Sequence, residues 1–109
     1  MDREEALSLL KAHLANKNLV KHCLSVEACM RALAVRHGPA PGPWGVPGIL
    51  HALDYALTEK SPERHTTETV RLLAGRALDP AVVHAIQAHA SKVPCESAMD
   101  WAIYSIDPL

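Results

Sequence analysis

Apolar side chains recur along most of this chain at intervals of three and four residues, and strict alternation of apolar and polar residues is almost absent. Intervals of three and four place side chains on one face of an α-helix, whereas a half-buried β-strand requires alternation. The length of 109 residues suits one domain with one core. The pattern therefore predicts an all-α fold, a single compact bundle of about six helices over residues 1–109.

Capping residues and prolines indicate where these helices begin. Asp2 and Asn18 each precede a helical pattern, and Ser61-Pro62 and Asp79-Pro80 each place a capping side chain before a proline suited to the first turn. The predicted helices start near residue 2, run over residues 19–36 and 49–57, start near residues 61 and 79, and run over residues 96–106.

The segment of residues 38–48 contains four of the five glycines and four of the eight prolines. Proline inside a helix removes a hydrogen bond, and glycine weakens the helix. The composition therefore predicts a Pro/Gly-rich loop between the second and third helices.

Charge and hydropathy exclude several classes of partner. The formal net charge is −1, and the basic residues are scattered, so no stripe is available to neutralise a nucleic-acid backbone. The first five residues are mainly acidic, whereas a secretory signal begins with basic residues. No apolar run approaches the roughly 20 residues needed to span a bilayer. We expect a cytoplasmic protein with no nucleic-acid or membrane partner.

The three cysteines should be reduced thiols. Cys29 should behave as a small hydrophobe in the apolar stripe of the second helix.

Seven histidines are many for a chain of this length, and four of them fall on or near the inward helix faces. An aspartate, Asp107, follows Ile103 by four residues and also faces inward. A single inward histidine is more often a hydrogen-bonded core residue than a ligand. A buried carboxylate, however, needs a partner or a metal. Together these groups favour a metal centre over ordinary core histidines. The five inward residues are His22, His51, His65, His89 and Asp107.

The remaining histidines are weaker candidates. His37 and His84 are expected to be solvated. His13 lies near the apolar edge of the first helix, and its spacing neither includes nor excludes it.

The order of these residues resembles the HD superfamily of metal-dependent phosphohydrolases, in particular small bacterial members whose central motif is His-Asp-x-Asp-Tyr. The resemblance covers nearly the whole chain, and the ordered set is more specific than any one motif. It implies an HD-domain-like fold in which His22, His51 and Asp107 bind the primary metal. His65 and His89 would bind a second metal or the substrate phosphate. The matching segments are Lys21-His22-Cys23, His51-Ala52-Leu53-Asp54-Tyr55, Glu63-Arg64-His65, His89 and Ile106-Asp107-Pro108.

Ala52 departs from this pattern, because the family has an aspartate ligand there and alanine has no donor atom. Two imidazoles and one carboxylate can still bind a divalent ion such as Mn, Fe, Ni, Zn or Mg, more weakly and with open positions. Asp54 has two interpretations. It either replaces the missing ligand in a catalytic role, or it orients His51 or ties down a helix end.

Two functional hypotheses follow. In the first, the chain is a metal-dependent phosphohydrolase acting on a small phosphate ester or nucleotide, with catalysis impaired by Ala52. In the second, it is a non-catalytic ligand-binding or interaction module that keeps the HD fold. The family usually continues beyond the final aspartate, so a homodimer is one way to cover the exposed side of Asp107.

Overall fold

The computed structural model describes residues 1–58 and 61–107, and within them every regular element is helical. The all-α prediction is confirmed. In the described part of the chain, six helices have seven residues or more, which matches the expected number, and a seventh consists of a single turn. The helices are α1 (Arg3–His13), α2 (Lys17–His37), α3 (Pro41–Leu50), α4 (Tyr55–Thr58), α5 (Thr67–Leu73), α6 (Pro80–His89) and α7 (Ala98–Ile106), with a 3₁₀ turn at Pro62–Arg64.

Two of the predicted helix starts are confirmed by their hydrogen bonds. An Asp2 carboxylate oxygen accepts from the Glu5 N–H at 2.8 Å, and an Asp79 oxygen accepts from the Ala81 N–H at 2.9 Å. The predicted Asn18 cap is wrong. The Asn16 side chain accepts from the backbone N–H of Asn18 and of Leu19, so α2 begins earlier than expected.

Two further starts, those near residues 61 and 96, differ in detail. Ser61-Pro62 begins only a 3₁₀ turn, and α5 starts at Thr67. The last helix starts at Ala98, two residues later than predicted, because Ser97 and Asp100 form a reciprocal capping box there. Pro108, the last residue of the C-terminal motif, lies outside the described residues.

The prediction of a loop over residues 38–48 is wrong, because most of that segment belongs to α3. Pro41 is the first residue of α3, and Pro43 also lies in the first turn, where a backbone N–H has no intrahelical acceptor. Pro47 alone lies inside the helix. The predicted third helix over residues 49–57 is also wrong. Helix α3 ends at Leu50, and turns separate it from α4.

Helix α3 forms the centre of the bundle and is buried along its length from Trp44 to Leu50. It contacts α1, α2, α6 and α7. Glycine makes the closest of these approaches possible, since a Cβ atom at Gly48 would lie 2.7 Å from both Cα and N of Glu27 on α2. The backbones of α2 and α3 therefore touch at Gly48.

The inward stripe of α2 differs from the predicted one at three positions. Cys29 is exposed, contrary to the expectation that it packs inside, and Cys23 is buried instead. Glu27 is also buried, which the sequence did not indicate, and it pairs with Arg3 of α1 at 2.6 Å. The ion pair ties the first turn of α1 to the middle of α2.

Within residues 1–58 and 61–107, no helix combines the length and the apolarity that crossing a membrane requires.

The contact between α2 and α3 gives a stability prediction. Gly48→Ala should lower the free energy of unfolding by about 1–3 kcal/mol, because the added methyl group must push two backbones apart. Gly42→Ala is the matched control in the same helix, where a Cβ would meet nothing within 4 Å. It should leave stability unchanged or raise it by about 0.5–1 kcal/mol. Urea unfolding of the three proteins measures both effects. Equal stability of the two variants would contradict the close contact.

Candidate metal centre

Three side chains from distant parts of the chain converge at one end of α3. His22 lies on α2, His51 follows the last residue of α3, and Asp107 follows the last residue of α7. The Asp107 Oδ1 atom lies 2.9 Å from His51 Nε2 and 3.0 Å from His22 Nε2, and the two Nε2 atoms are 3.3 Å apart. The predicted convergence of these three residues is therefore what the structure shows.

The three distances describe a triangle of the size that a metal ion requires. For metal–ligand bonds of about 2.1 Å, neighbouring ligand atoms lie about 3.0 Å apart at right angles and about 3.4 Å apart at tetrahedral angles. The observed edges of 2.9, 3.0 and 3.3 Å fall close to that range. The three residues can hold a metal ion, and two imidazoles with one carboxylate suit first-row divalent ions.

The orientation of His51 is fixed from the backbone. Its Nδ1 atom lies 2.8 Å from the carbonyl oxygen of Gly48, which can only accept, so Nδ1 carries the proton and donates. In a neutral ring Nε2 then presents a lone pair towards Asp107 and His22. A lone pair on Nε2 cannot donate a hydrogen bond to a carboxylate, so a proton or a metal ion must lie between His51 Nε2 and the Asp107 carboxylate. A hydrogen bond from the second ring nitrogen is the usual way to orient a metal-binding histidine.

His65 and His89 form a second pair beside the first group. Their Nε2 atoms are 3.1 Å apart, and His89 Nδ1 donates to the carbonyl of Ile86. The rings of His51 and His89 have centroids 5.0 Å apart, so the two groups are continuous. The structure thus brings together all four of the histidines that the sequence placed on inward faces.

Asp54 belongs to the second pair and not to the group of His22, His51 and Asp107. Its Oδ1 atom accepts from His65 Nδ1 at 2.6 Å, and its Oδ2 atom accepts from the Thr69 N–H at 3.0 Å. It therefore matches the interpretation as an orienting residue that ties down a helix end. The ring it orients is His65 rather than His51. The helix it ties down is α5, whose cap residue Thr66 makes no side-chain capping bond.

Burial and hydrogen bonding set the charge of the site. Burial raises the pKa of Asp107, but the hydrogen bond and charge of His51 and the hydrogen bond of His22 outweigh it and hold the pKa well below its usual range. Burial, with the neighbouring charge of His51, lowers the pKa of His89 to about 4. Burial, with the charge of Asp107, raises the pKa of Tyr55 to about 12. At neutral pH the site therefore has an ionised carboxylate, a neutral His89 ready to bind a cation, and a protonated phenol.

Position 52 contributes no donor to this site. Ala52 is fully buried, directly after His51. Burial raises the pKa of its neighbour Cys23 to about 12, so that thiol stays protonated. The three groups that could hold a metal ion are the side chains of His22, His51 and Asp107.

The three other histidines lie apart from the centre. His13 and His37 are exposed, which answers the open question about His13 and confirms the expectation for His37. The expectation that His84 is solvated is wrong in part. Its side chain is 32% exposed, and its Nδ1 atom lies 2.8 Å from the buried carboxylate of Asp100. The Ser97-x-x-Asp100 spacing is the sequence signal that could have identified this carboxylate as a cap.

Comparison of the chain with protein-family models, with curated proteins and with solved structures found no match. The resemblance to the HD superfamily stays a prediction, and the candidate metal centre rests on the geometry of His22, His51 and Asp107.

The low pKa of His89 predicts how stability depends on pH in the metal-free protein. Its pKa of about 4 in the folded state lies below the ordinary value of 6.5. Between these values only the unfolded chain binds the proton, so the stabilisation is complete above pH 6.5 and is lost as the pH falls towards 4. At about pH 5 the loss should be about 2 kcal/mol.

Urea unfolding with a chelator present, at about pH 7.5 and about pH 5, measures this loss. His89→Gln should reduce the difference between the two pH values, whereas His37→Gln, at an exposed position, should leave it unchanged. An identical pH dependence in the His89 and His37 variants would show that His89 is not the group responsible.

Proposed function

We propose that this chain binds a divalent metal ion through His22, His51 and Asp107 and is a metal-dependent phosphohydrolase of the HD type with low turnover. The observation that carries the proposal is the triangle of Nε2, Nε2 and Oδ1 atoms, whose edges suit one coordination sphere. The hydrogen bond from His51 Nδ1 to the Gly48 carbonyl fixes the His51 ring, which supports a preformed site over a chance cluster of side chains.

His65 and His89 supply a second position for a metal or for the substrate phosphate. Their facing Nε2 atoms are 3.1 Å apart, and both Nδ1 atoms are engaged by oxygen acceptors, Asp54 and the Ile86 carbonyl. Two neutral imidazoles in this arrangement direct lone pairs at each other. A shared cation, or a proton held between them, removes that repulsion.

A bound divalent ion lowers the pKa of water and stabilises charge on phosphoryl oxygens. The protein's part is to hold the donors in place and to supply charge. The ionised Asp107 offsets the charge of a cation. The charge of Asp107 helps to raise the pKa of Tyr55, so the phenol stays protonated and can donate to a phosphate oxygen.

A non-catalytic metal- or ligand-binding module is the second candidate, and Ala52 is the observation that favours it. The buried methyl group supplies no donor where the HD pattern has a carboxylate. An ion held by three ligands on one side is less firmly positioned, so binding can persist where turnover does not.

Metal binding is tested first, by titrating the metal-free protein with Mn²⁺. His22→Gln should weaken binding by about 10-fold or more, because it removes one of three donors without emptying the core. His37→Gln, on the same helix but exposed, is the matched control and should bind like the wild type. Equal affinities of the two variants, or no binding by the wild type, would favour ordinary core histidines over a metal centre.

Catalysis is tested by restoring the missing carboxylate. With Mn²⁺ present, Ala52→Asp should hydrolyse 4-nitrophenyl phosphate at least about 10-fold faster than the wild type, because an added carboxylate ligand positions the ion more firmly. Ala52→Asn has nearly the same size without the charge and should give a smaller gain. Circular dichroism checks that both variants fold. Activity in the wild type that His22→Gln abolishes supports the enzyme, and activity only in Ala52→Asp supports the module.

A further inference from the structure

A pocket of about 490 Å³ lies beside the candidate metal centre, on the side of His65. Leu14 at the end of α1, Leu19 in the first turn of α2 and Ala56 of α4 form much of its wall. Tyr55 and His65 form the part nearest the centre. Its volume falls within the range of about 300–1,000 Å³ typical of small-molecule sites.

His65 connects the pocket to the metal centre. Its ring lines the pocket and packs against the ring of Tyr55, with centroids 4.6 Å apart. Its Nε2 atom lies 3.1 Å from that of His89, whose ring in turn packs against the ring of His51 at the centre. A molecule that fills the pocket therefore contacts the same side chain that reaches the second histidine pair.

The two neighbouring regions suit different chemical groups. Among the described residues that line the pocket, His65 is the only one with a titratable nitrogen or carboxylate. Asn16 and Thr58 are polar but uncharged, and the apolar members are Leu14, Ala15, Leu19 and Ala56. Such a wall favours apolar surface and gives a phosphate no cation to bind. The centre, by contrast, has the metal-binding groups that attract phosphoryl oxygens. A ligand that uses both must be amphiphilic, with one phosphate and one apolar part.

We infer that the pocket binds the apolar, ring-bearing alcohol part of a phosphate monoester whose phosphate lies at the metal centre. This inference rests on the proposed function and narrows it. The substrate class becomes aromatic or comparably apolar phosphomonoesters, and small polar alcohol phosphates become poor substrates. Tyr55, at the junction, is placed to pack on the ring of such a ligand.

Binding of two non-hydrolysable probes to the Mn²⁺-loaded full chain tests the inference by isothermal titration calorimetry. Phenylphosphonate and methylphosphonate share the charged group and differ only in the apolar part. The wild type should bind phenylphosphonate about 10-fold more tightly, since the ring is removed from water in the pocket.

Two variants and one control locate that preference. Ala56→Trp and Ala15→Trp each place a large side chain at an exposed position of the pocket wall, and each should reduce the ratio of the two affinities towards one. Ala12→Trp, at an exposed position of α1 that does not line the pocket, should keep the wild-type ratio. Circular dichroism checks that Ala56→Trp and Ala15→Trp fold. If one of them misfolds, the affinity ratio of the other tests the pocket.

The outcomes separate the inference from the proposed function. If both phosphonates bind equally to the wild type, or if both filling variants keep the preference for the ring, the pocket does not select the alcohol part and only the inference is overturned. If the metal-loaded wild type binds neither methylphosphonate nor inorganic phosphate, the proposed function fails, and the inference that depends on it fails with it.

Discussion

The backbone contact between α2 and α3 at Gly48 is the constraint on which the site depends. The missing side chain of Gly48 lets α2 approach to within contact of the α3 backbone, and α2 carries His22. The carbonyl of the same residue accepts the Nδ1 proton of His51 and so directs Nε2 of His51 towards His22. One residue thus sets both the spacing of the two helices and the orientation of a ring at the end of α3. A side chain at this position would disturb the core and the candidate metal centre together.

The sequence indicated the candidate ligands well because burial is periodic and their chemistry is unusual. His22, His51, His65, His89 and Asp107 were found as polar groups on apolar faces, and the structure brings all five into two adjoining groups. Asp54 was harder to place. Its partners, His65 and Thr69, lie 11 and 15 residues away, and a helical spacing argument reaches only three or four residues. Periodicity therefore predicts which side chains face inward. It does not predict which other side chains they contact, because those contacts depend on the tertiary structure.

The errors in the fold prediction have local physical causes. The proline density of residues 38–48 predicts a loop, but proline disrupts a helix only after the first turn, and Pro41 and Pro43 both lie within that turn. The remaining interior proline is tolerated in a helix that is buried against four others. Periodicity alone does not indicate that Glu27 is buried, because a buried carboxylate needs a partner from elsewhere in the fold. The partner, Arg3, comes from a different helix, 24 residues earlier.

Under the proposed function, Ala52 separates two properties that a metal site normally combines. Holding an ion requires donors of the right spacing, and His22, His51 and Asp107 have that spacing without any contribution from position 52. Positioning the ion for attack on phosphorus requires more ligands, because each additional bond restricts where the ion and its water can move. An ion bound only to the folded chain also stabilises the fold in proportion to the logarithm of its concentration. Under the proposed function, an ion at His22, His51 and Asp107 can therefore stabilise the fold of a chain with low turnover, because holding it does not depend on position 52.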